Sequence, residues 1–188
     1  MLCQDLVRGY GRKNKQASCL FKIDLQKAYD SLDWKFLQEM LTALKFPGQF
    51  IQLVMICVTT ARFSVMINGA PTNLIHARRG LRKVDLMSPL LFVIGMEYLS
   101  RILAKVAKQP DFQYHPRCGS LQLTHMCFAD DLLLFSKGDF KAAYLLLRGF
   151  QLFSETFGLK ANKTKSSIYG VGMQEEIWYQ LTELTGFQ

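Results

Sequence analysis

HMCFADDLLLFSK, residues 125–137, sets two adjacent carboxylates, Asp130 and Asp131, between two apolar runs. Phe128, Leu132, Leu134 and Phe135 are core-type side chains, so the chain carries like charges into or beside a hydrophobic sheet, where they repel. Two readings of the stretch are open. It is an ordinary hairpin whose two turn residues tolerate unusual backbone angles, or it is a turn that presents carboxylates to divalent metal ions. A third carboxylate elsewhere would tip the balance.

Working outward, the same juxtaposition occurs at CLFKIDL, residues 19–25, where Leu20, Ile23 and Leu25 suggest a buried strand ending near Asp24. From Ser31 the residues Leu32, Phe36, Leu37, Met40, Leu41 and Leu44 recur at helical spacing. Pro47-Gly48 stops that helix before a second apolar segment, Phe50 to Val58, and the two segments look like a packed helix pair. Asn68-Gly69 between strand-like runs predicts a hairpin. Ser88-Pro89 offers an N-cap and a first-turn proline for a helix through about Ala107. After the Asp-Asp hairpin, Asp139 is placed to cap a helix whose stripe is Phe140, Ala143, Tyr144, Leu147, Phe150 and Phe153, ended by Gly158. KSSIYGV, residues 165–171, reads as a last strand, with a short helix after it. This order of elements indicates an α+β domain with helices packed on an antiparallel sheet.

At 188 residues the chain is one domain or slightly more, and 49% hydrophobic content is ample for a packed core, which excludes a disordered tail. Lys plus Arg number 23 against 15 Asp plus Glu, a formal charge of +8. That balance favours a polyanionic partner such as nucleic acid, and an anionic membrane surface or plain solubility would fit it too. The five cysteines are scattered without a C-x-x-C pair, so neither a disulfide framework nor a zinc site is suggested. The longest uncharged apolar stretch is too short to span a bilayer, and the N-terminus lacks a signal-peptide pattern. The expectation is a soluble intracellular chain, in nucleus or cytoplasm, neither secreted nor membrane-bound.

Asp24, Asp130 and Asp131 lie far apart in sequence, and only folding can join them. If the first strand pairs beside the hairpin, the three carboxylates meet at one sheet edge, a cluster whose repulsion divalent cations best offset. Such a site suits phosphoryl transfer.

FKIDLQKAYDSLDW, RRGLRKVDLMSPLLF, FADDLLLFSKGD and GLKANKTKS, in this order and spacing between about Asp5 and Val171, resemble the reverse transcriptase motifs of non-LTR (LINE-type) retrotransposons, particularly the plant kind. The resemblance implies a polymerase palm, a ferredoxin- or RRM-like antiparallel sheet with packed helices, with partial fingers. Residues 1–188 would be a single partial domain without the remaining fingers, thumb and endonuclease. It implies RNA-directed DNA synthesis from an RNA template, a DNA primer and deoxynucleoside triphosphates. Two Mg2+ ions, or Mn2+, would be held by Asp24 and Asp130 with Asp131 assisting. Tyr29 matches the aromatic that blocks a ribose 2′-OH, although an aromatic beside a helix start is commonly core. Lys165 matches the lysine that approaches the triphosphate, or is a plain surface lysine. Arg78, Arg79, Arg82 and Lys83 crowd four cations into six residues, suited to phosphate contacts whatever the base sequence, or to a solvated loop.

The family usually reads RGLRQGDPLSP where this chain reads RGLRKVDLMSP, residues 79–89, so Lys83, Val84, Leu86 and Met87 replace glutamine, glycine, proline and leucine. Lys83 and Val84 fall where the nucleotide would sit, and a β-branched residue resists backbone angles and close approaches that glycine permits. The expectations are therefore a polymerase fragment inactive alone, a non-catalytic nucleic-acid-binding remnant, or a decayed retrotransposon product with no selected role.

Overall fold

The computed structural model describes residues 16–83, 85–128 and 131–188, so Val84 and Asp130 lie outside the described residues. In chain order the elements are β1 (Ser18–Gln26), α1 (Ala28–Ser31), α2 (Trp34–Ala43), α3 (Gly48–Thr59), β2 (Arg62–Phe63), β3 (Met66–Ile67), β4 (Ala70–Pro71), β5 (Ile75–His76), α4 (Ser88–Val106), β6 (His125–Phe128), β7 (Asp131–Lys137), α5 (Phe140–Phe157), β8 (Lys160–Ala161), β9 (Ser167–Val171) and α6 (Glu175–Thr185). They fall into two compact units. The first draws its described residues from Met1–Gln26, Leu99–Glu155 and Lys160–Gln188, and the second is Lys27–Tyr98 with Thr156–Leu159.

The first unit is built on an antiparallel sheet in the order β6-β7-β1, with β9 and β8 taking successive lengths of the far side of β1. β1 pairs with β7 from Ser18↔Lys137 to Asp24↔Asp131, with β9 from Ser18↔Val171 to Lys22↔Ser167, and with β8 only at Leu25 and Gln26. Its interior position follows from its sequence: Ser18 to Phe21 are buried without a break, and from Lys22 burial alternates in the two-residue period of a strand. Phe21, Ile23, Leu103, Leu132, Leu134 and Phe153 are fully buried, each contributing roughly 1.5–3 kcal/mol of transfer free energy. Gly149 lets α5 approach α4 closely, since a Cβ there would meet the side chains of Leu103, Val106 and Ile102 at 3.1–3.3 Å. α5 starts where the Asp139 carboxylate accepts from the Ala142 N–H at 2.9 Å and gives way to Gly158 at φ +82.

In the second unit α2 buries Phe36, Leu37, Met40 and Leu41, and α3 buries Ile51, Val54 and Val58. The Phe36 ring lies 4.9 Å from Phe157 and 5.4 Å from Tyr98. The expected hairpin is present: Asn68 (φ 48) and Gly69 (φ 82) turn β3 into β4, the two positive angles that a two-residue turn of this kind requires. β2 and β5 form a second short ladder outside it.

Several boundaries differ from the sequence expectation. β1 runs two residues beyond Asp24, because β8 supplies partners for Leu25 and Gln26. The single helix expected from Ser31 is two, α1 and α2, broken at Leu32 and Asp33, because the Asp33 side chain accepts from the Phe36 N–H at 2.9 Å and caps a new start. Ser88 lies inside α4, buried, and the nearby capping acceptor is the Asp85 carboxylate, 3.0 Å from the Met87 N–H. Among the described residues no helix is long and apolar enough to cross a membrane.

Candidate active site

Asp24 and Asp131 are register partners across β1 and β7, so their side chains share one face of the sheet. Both main-chain groups of Asp24 turn the other way: its N–H donates to Ser166 Oγ at 3.1 Å, and its carbonyl accepts from the Asn162 N–H at 2.8 Å. The Asp24–Asp131 pair is therefore the non-hydrogen-bonded kind in this ladder, in which Cα atoms stand about 4.5 Å apart and side chains come closest. Lys22, two residues back on the same face, places its ammonium 3.7 Å from Asp131. Both side chains of that ion pair are more than 40% exposed, at 43% and 47%, so it offsets little of the repulsion.

The sequence reading put Asp131 inside a turn and the acidic group at a sheet edge. Instead Asp131 opens β7 opposite Phe128, and β1 is an interior strand. Asp130, expected beside Asp24, lies outside the described residues. Among the described residues no group of three His, Cys, Asp or Glu side chains could hold a metal ion. The two carboxylates that do converge are hard oxygen donors, of the kind that Mg2+ and Mn2+ accept.

Lys165 is exposed in the loop between β8 and β9, the same loop whose ends hold the Asp24 main chain. Ser166, next to it, is completely buried. Sequence reasoning missed Ser166, and no local pattern marks it, because its partner is distant in the chain.

In the second unit Tyr29 is half-buried and stacks on Phe92 with centroids 5.0 Å apart. Its carbonyl accepts from the Leu81 N–H at 2.7 Å, while Gly80 donates to the Leu32 carbonyl at 2.8 Å and accepts from the Trp34 indole at 2.8 Å. Gly80 sits at φ +88, and a Cβ on it would lie 2.7 Å from the Asp30 carbonyl oxygen, so the close approach demands glycine. The RRGLR stretch is thus strapped to the residues around Tyr29. Arg78, Arg79, Arg82 and Lys83 are all exposed. Arg79 and Arg82 line one cleft and Arg82 and Lys83 an adjoining one, each with Asp30 and Asp85, whereas Arg78 lines neither. Arg82 also reaches the Cys57 carbonyl at 3.4 Å. The two acids were not singled out from sequence, although Asp85 sits in a recognisable capping position before Ser88-Pro89.

Three buried groups of the first unit, Cys19, His115 and Cys118, are shifted by their surroundings. Burial, and secondarily Arg117, lowers His115 to about 4, and the Arg117 N–H donates to its Nδ1 at 3.2 Å, a bond that only the neutral ring with its proton on Nε2 can accept. Burial and the charge of Asp139 raise Cys19 to about 12, and burial raises Cys118 to about 11. The four described cysteines are free thiols, with Cys57 and Cys127 exposed.

An antiparallel sheet with packed helices, carrying paired carboxylates at the mouth of a hairpin, is the architecture of a polymerase palm. A telomerase from Candida tropicalis shares the fold with a TM-score of 0.65 at 13% identity, over 92% of this chain and 34% of that one. A second telomerase structure from the same organism, described as in complex with a fragment of telomeric RNA, gives 0.64 at 13% identity, over 89% of this chain and 28% of that one. Residues 2–180 match the family model described as reverse transcriptase (RNA-dependent DNA polymerase), and the chain belongs to that family. Its relatives include the Pol polyprotein of the R2 retrotransposable element of Popillia japonica, 28% identical over 69% of this chain and 22% of the relative. The R2DM polyprotein of Drosophila melanogaster is 27% identical over 89% of this chain and 15% of its own length. These relatives place the chain with the reverse transcriptases of non-LTR retrotransposons. It spans about a fifth or less of their length.

Proposed function

We propose that the chain is the palm-centred part of an RNA-directed DNA polymerase, together with adjoining fingers residues, and that these 188 residues alone do not extend a primer. The observation that carries the reading is the in-register Asp24–Asp131 pair, two carboxylates on one sheet face at the mouth of the hairpin. In this reading Asp24, Asp130 and Asp131 hold divalent cations, two Mg2+ ions or Mn2+. When bound, these lower the pKa of an attacking hydroxyl and stabilise the leaving oxygen. The chain's own residues bind and orient. Tyr29 presents its ring against a ribose 2′-OH and so selects deoxynucleotides, Lys165 donates to the triphosphate, and Lys83 and Val84 flank the nucleotide. Arg78, Arg79 and Arg82 neutralise template and primer phosphates.

The inactivity rests on RKVDLMSP. Val84 replaces a family glycine beside the nucleotide, and Leu86 is 93% exposed where the family has proline. Loss of positioning there removes the orientation that makes phosphoryl transfer fast. A second reading, a nucleic-acid-binding protein without catalysis, is favoured by the exposed arginines and the same departures.

Primer extension on an RNA template with Mg2+ and all four deoxynucleotides tests both. The 188-residue chain should give only background. The segment set in a full-length R2-type polyprotein should recover synthesis when Lys83→Gln, Val84→Gly, Leu86→Pro and Met87→Leu are made together, and lose it again on Asp24→Asn. Extension by the unmodified chain overturns the inactivity. Recovery that survives Asp24→Asn overturns the site.

A further inference from the structure

β1 changes partners in mid-strand. β9 pairs with it through Lys22 and β8 resumes at Leu25, so Ile23 and Asp24 face a break in the ladder. An N–H and a carbonyl left there would lack strand partners. The loop between β8 and β9 closes the break. Ser166 Oγ accepts from the Asp24 N–H at 3.1 Å, and the Asn162 N–H donates to the Asp24 carbonyl at 2.8 Å.

We infer that Ser166 is a positioning residue, whose buried hydroxyl substitutes for a missing strand at Asp24 and so fixes the carboxylate opposite Asp131. The backbone that carries the hydroxyl is itself held on both sides. The Ser166 N–H donates to the Asn162 carbonyl at 2.9 Å, its carbonyl accepts from the Gln188 N–H at 3.2 Å, and the residue is 0% exposed. The Thr164 hydroxyl bonds to Asn162 Oδ1 at 2.8 Å, which tightens the same turn. The Asp24 N–H therefore takes its partner from a side chain, which a substitution can remove, whereas its carbonyl is held by the Asn162 backbone and its register by β7, which a substitution leaves in place. One loop both carries Lys165 and sets Asp24, so a shift of that loop moves the carboxylate with it. The inference rests on the reading of Asp24 as a metal ligand, but the clamp can be measured without it.

The test is Mn2+ titration of the 188-residue chain, followed by the paramagnetic signal of the free ion, beside amide hydrogen exchange. Ser166→Ala should weaken Mn2+ binding about tenfold, the lower end of what losing an outer-shell partner costs a metal site. Ser166→Thr, which keeps the hydroxyl, should stay within about twofold of the parent. The Asp24 amide should exchange at least about tenfold faster in Ser166→Ala, with amides at Leu20 and Phe135 unchanged. If the alanine variant does not fold, Ser166→Cys keeps the volume with a poor acceptor and should behave likewise. Unchanged Asp24 exchange overturns the clamp. Exchange that quickens while Mn2+ binding holds, with Asp24→Asn abolishing that binding, overturns the positioning role. Mn2+ binding that Asp24→Asn leaves intact would instead fault the metal-site reading, and the exchange result would then judge the clamp alone.

Discussion

Asp24 faces Asp131 directly across the β1–β7 ladder, two like charges in the pair geometry that brings side chains closest. Opposed like charges cost a sheet roughly 0.2–1 kcal/mol. Asp24→Asn removes that repulsion and leaves the Lys22–Asp131 ion pair in place. In buffer with EDTA the variant should be more stable than the parent by about 0.2–1 kcal/mol in urea denaturation. With Mg2+ added, only the parent should gain stability. A variant destabilised in EDTA would show that the pair supports the fold instead.

Gly80→Ala should destabilise the second unit by roughly 2–5 kcal/mol, combining the left-handed backbone penalty with overpacking. The close approach to the Asp30 carbonyl leaves no room for a methyl group, and the neighbour is backbone, which cannot swing aside. Thermal and urea unfolding measure the loss. Gly48→Ala, with open space around its Cβ position, is the matched control and should stay near the parent.

For the basic segment, Arg79→Ala with Arg82→Ala should flatten the dependence of log affinity on log salt by about 1.4–1.8, two phosphate contacts' worth of released counterion. Binding to RNA and DNA oligonucleotides of unrelated sequence should weaken to a similar degree, because phosphate contacts carry no base information. Fluorescence anisotropy across a salt series gives the slope. An unaltered slope would remove these two arginines from any nucleic-acid contact.

His115 makes stability depend on pH. Its folded value, about 4, lies below the ordinary 6.5, so the unfolded chain binds the proton more readily. The stabilising effect of the neutral ring is complete above about 6.5 and is lost as pH falls from there through about 4. The ceiling is about 3 kcal/mol. Urea midpoints measured between pH 7 and pH 4 should fall for the parent and fall less for His115→Phe, which packs against Phe135 without titrating.

Features fixed by short-range rules were legible in the sequence. Asn68-Gly69 turns where two positive φ angles are needed, and Asp139 caps α5 because the acceptor is three residues from its donor. The pairing of β1 beside the hairpin entered only as a condition under which the carboxylates could meet, and the β1–β7 ladder supplies it. What escaped depends on distant partners. β8 is two residues long and exists because Leu25 and Gln26 pair with it, and Ser166 acts on an aspartate far away in the chain. The break before α2 was missed for another reason: the apolar spacing continues through Leu32, and the capping choice of Asp33 overrides it.

The burial of Cys19 and Cys118, at 0% exposure each, gives this protein an internal clock. Thiolate is the form that attacks alkylating reagents, and burial raises both groups above the ordinary thiol range and shuts them from solvent, so neither reacts until the structure around it opens. Cys57 and Cys127 stand exposed and label from the native state. Cys19 lies on β1, paired with Ser136 and Gly170, so the delay before it is modified times the rupture of the ladder that carries Asp24. Reagent rates at single thiols thus convert the depth of a side chain into the lifetime of the strand that bears it.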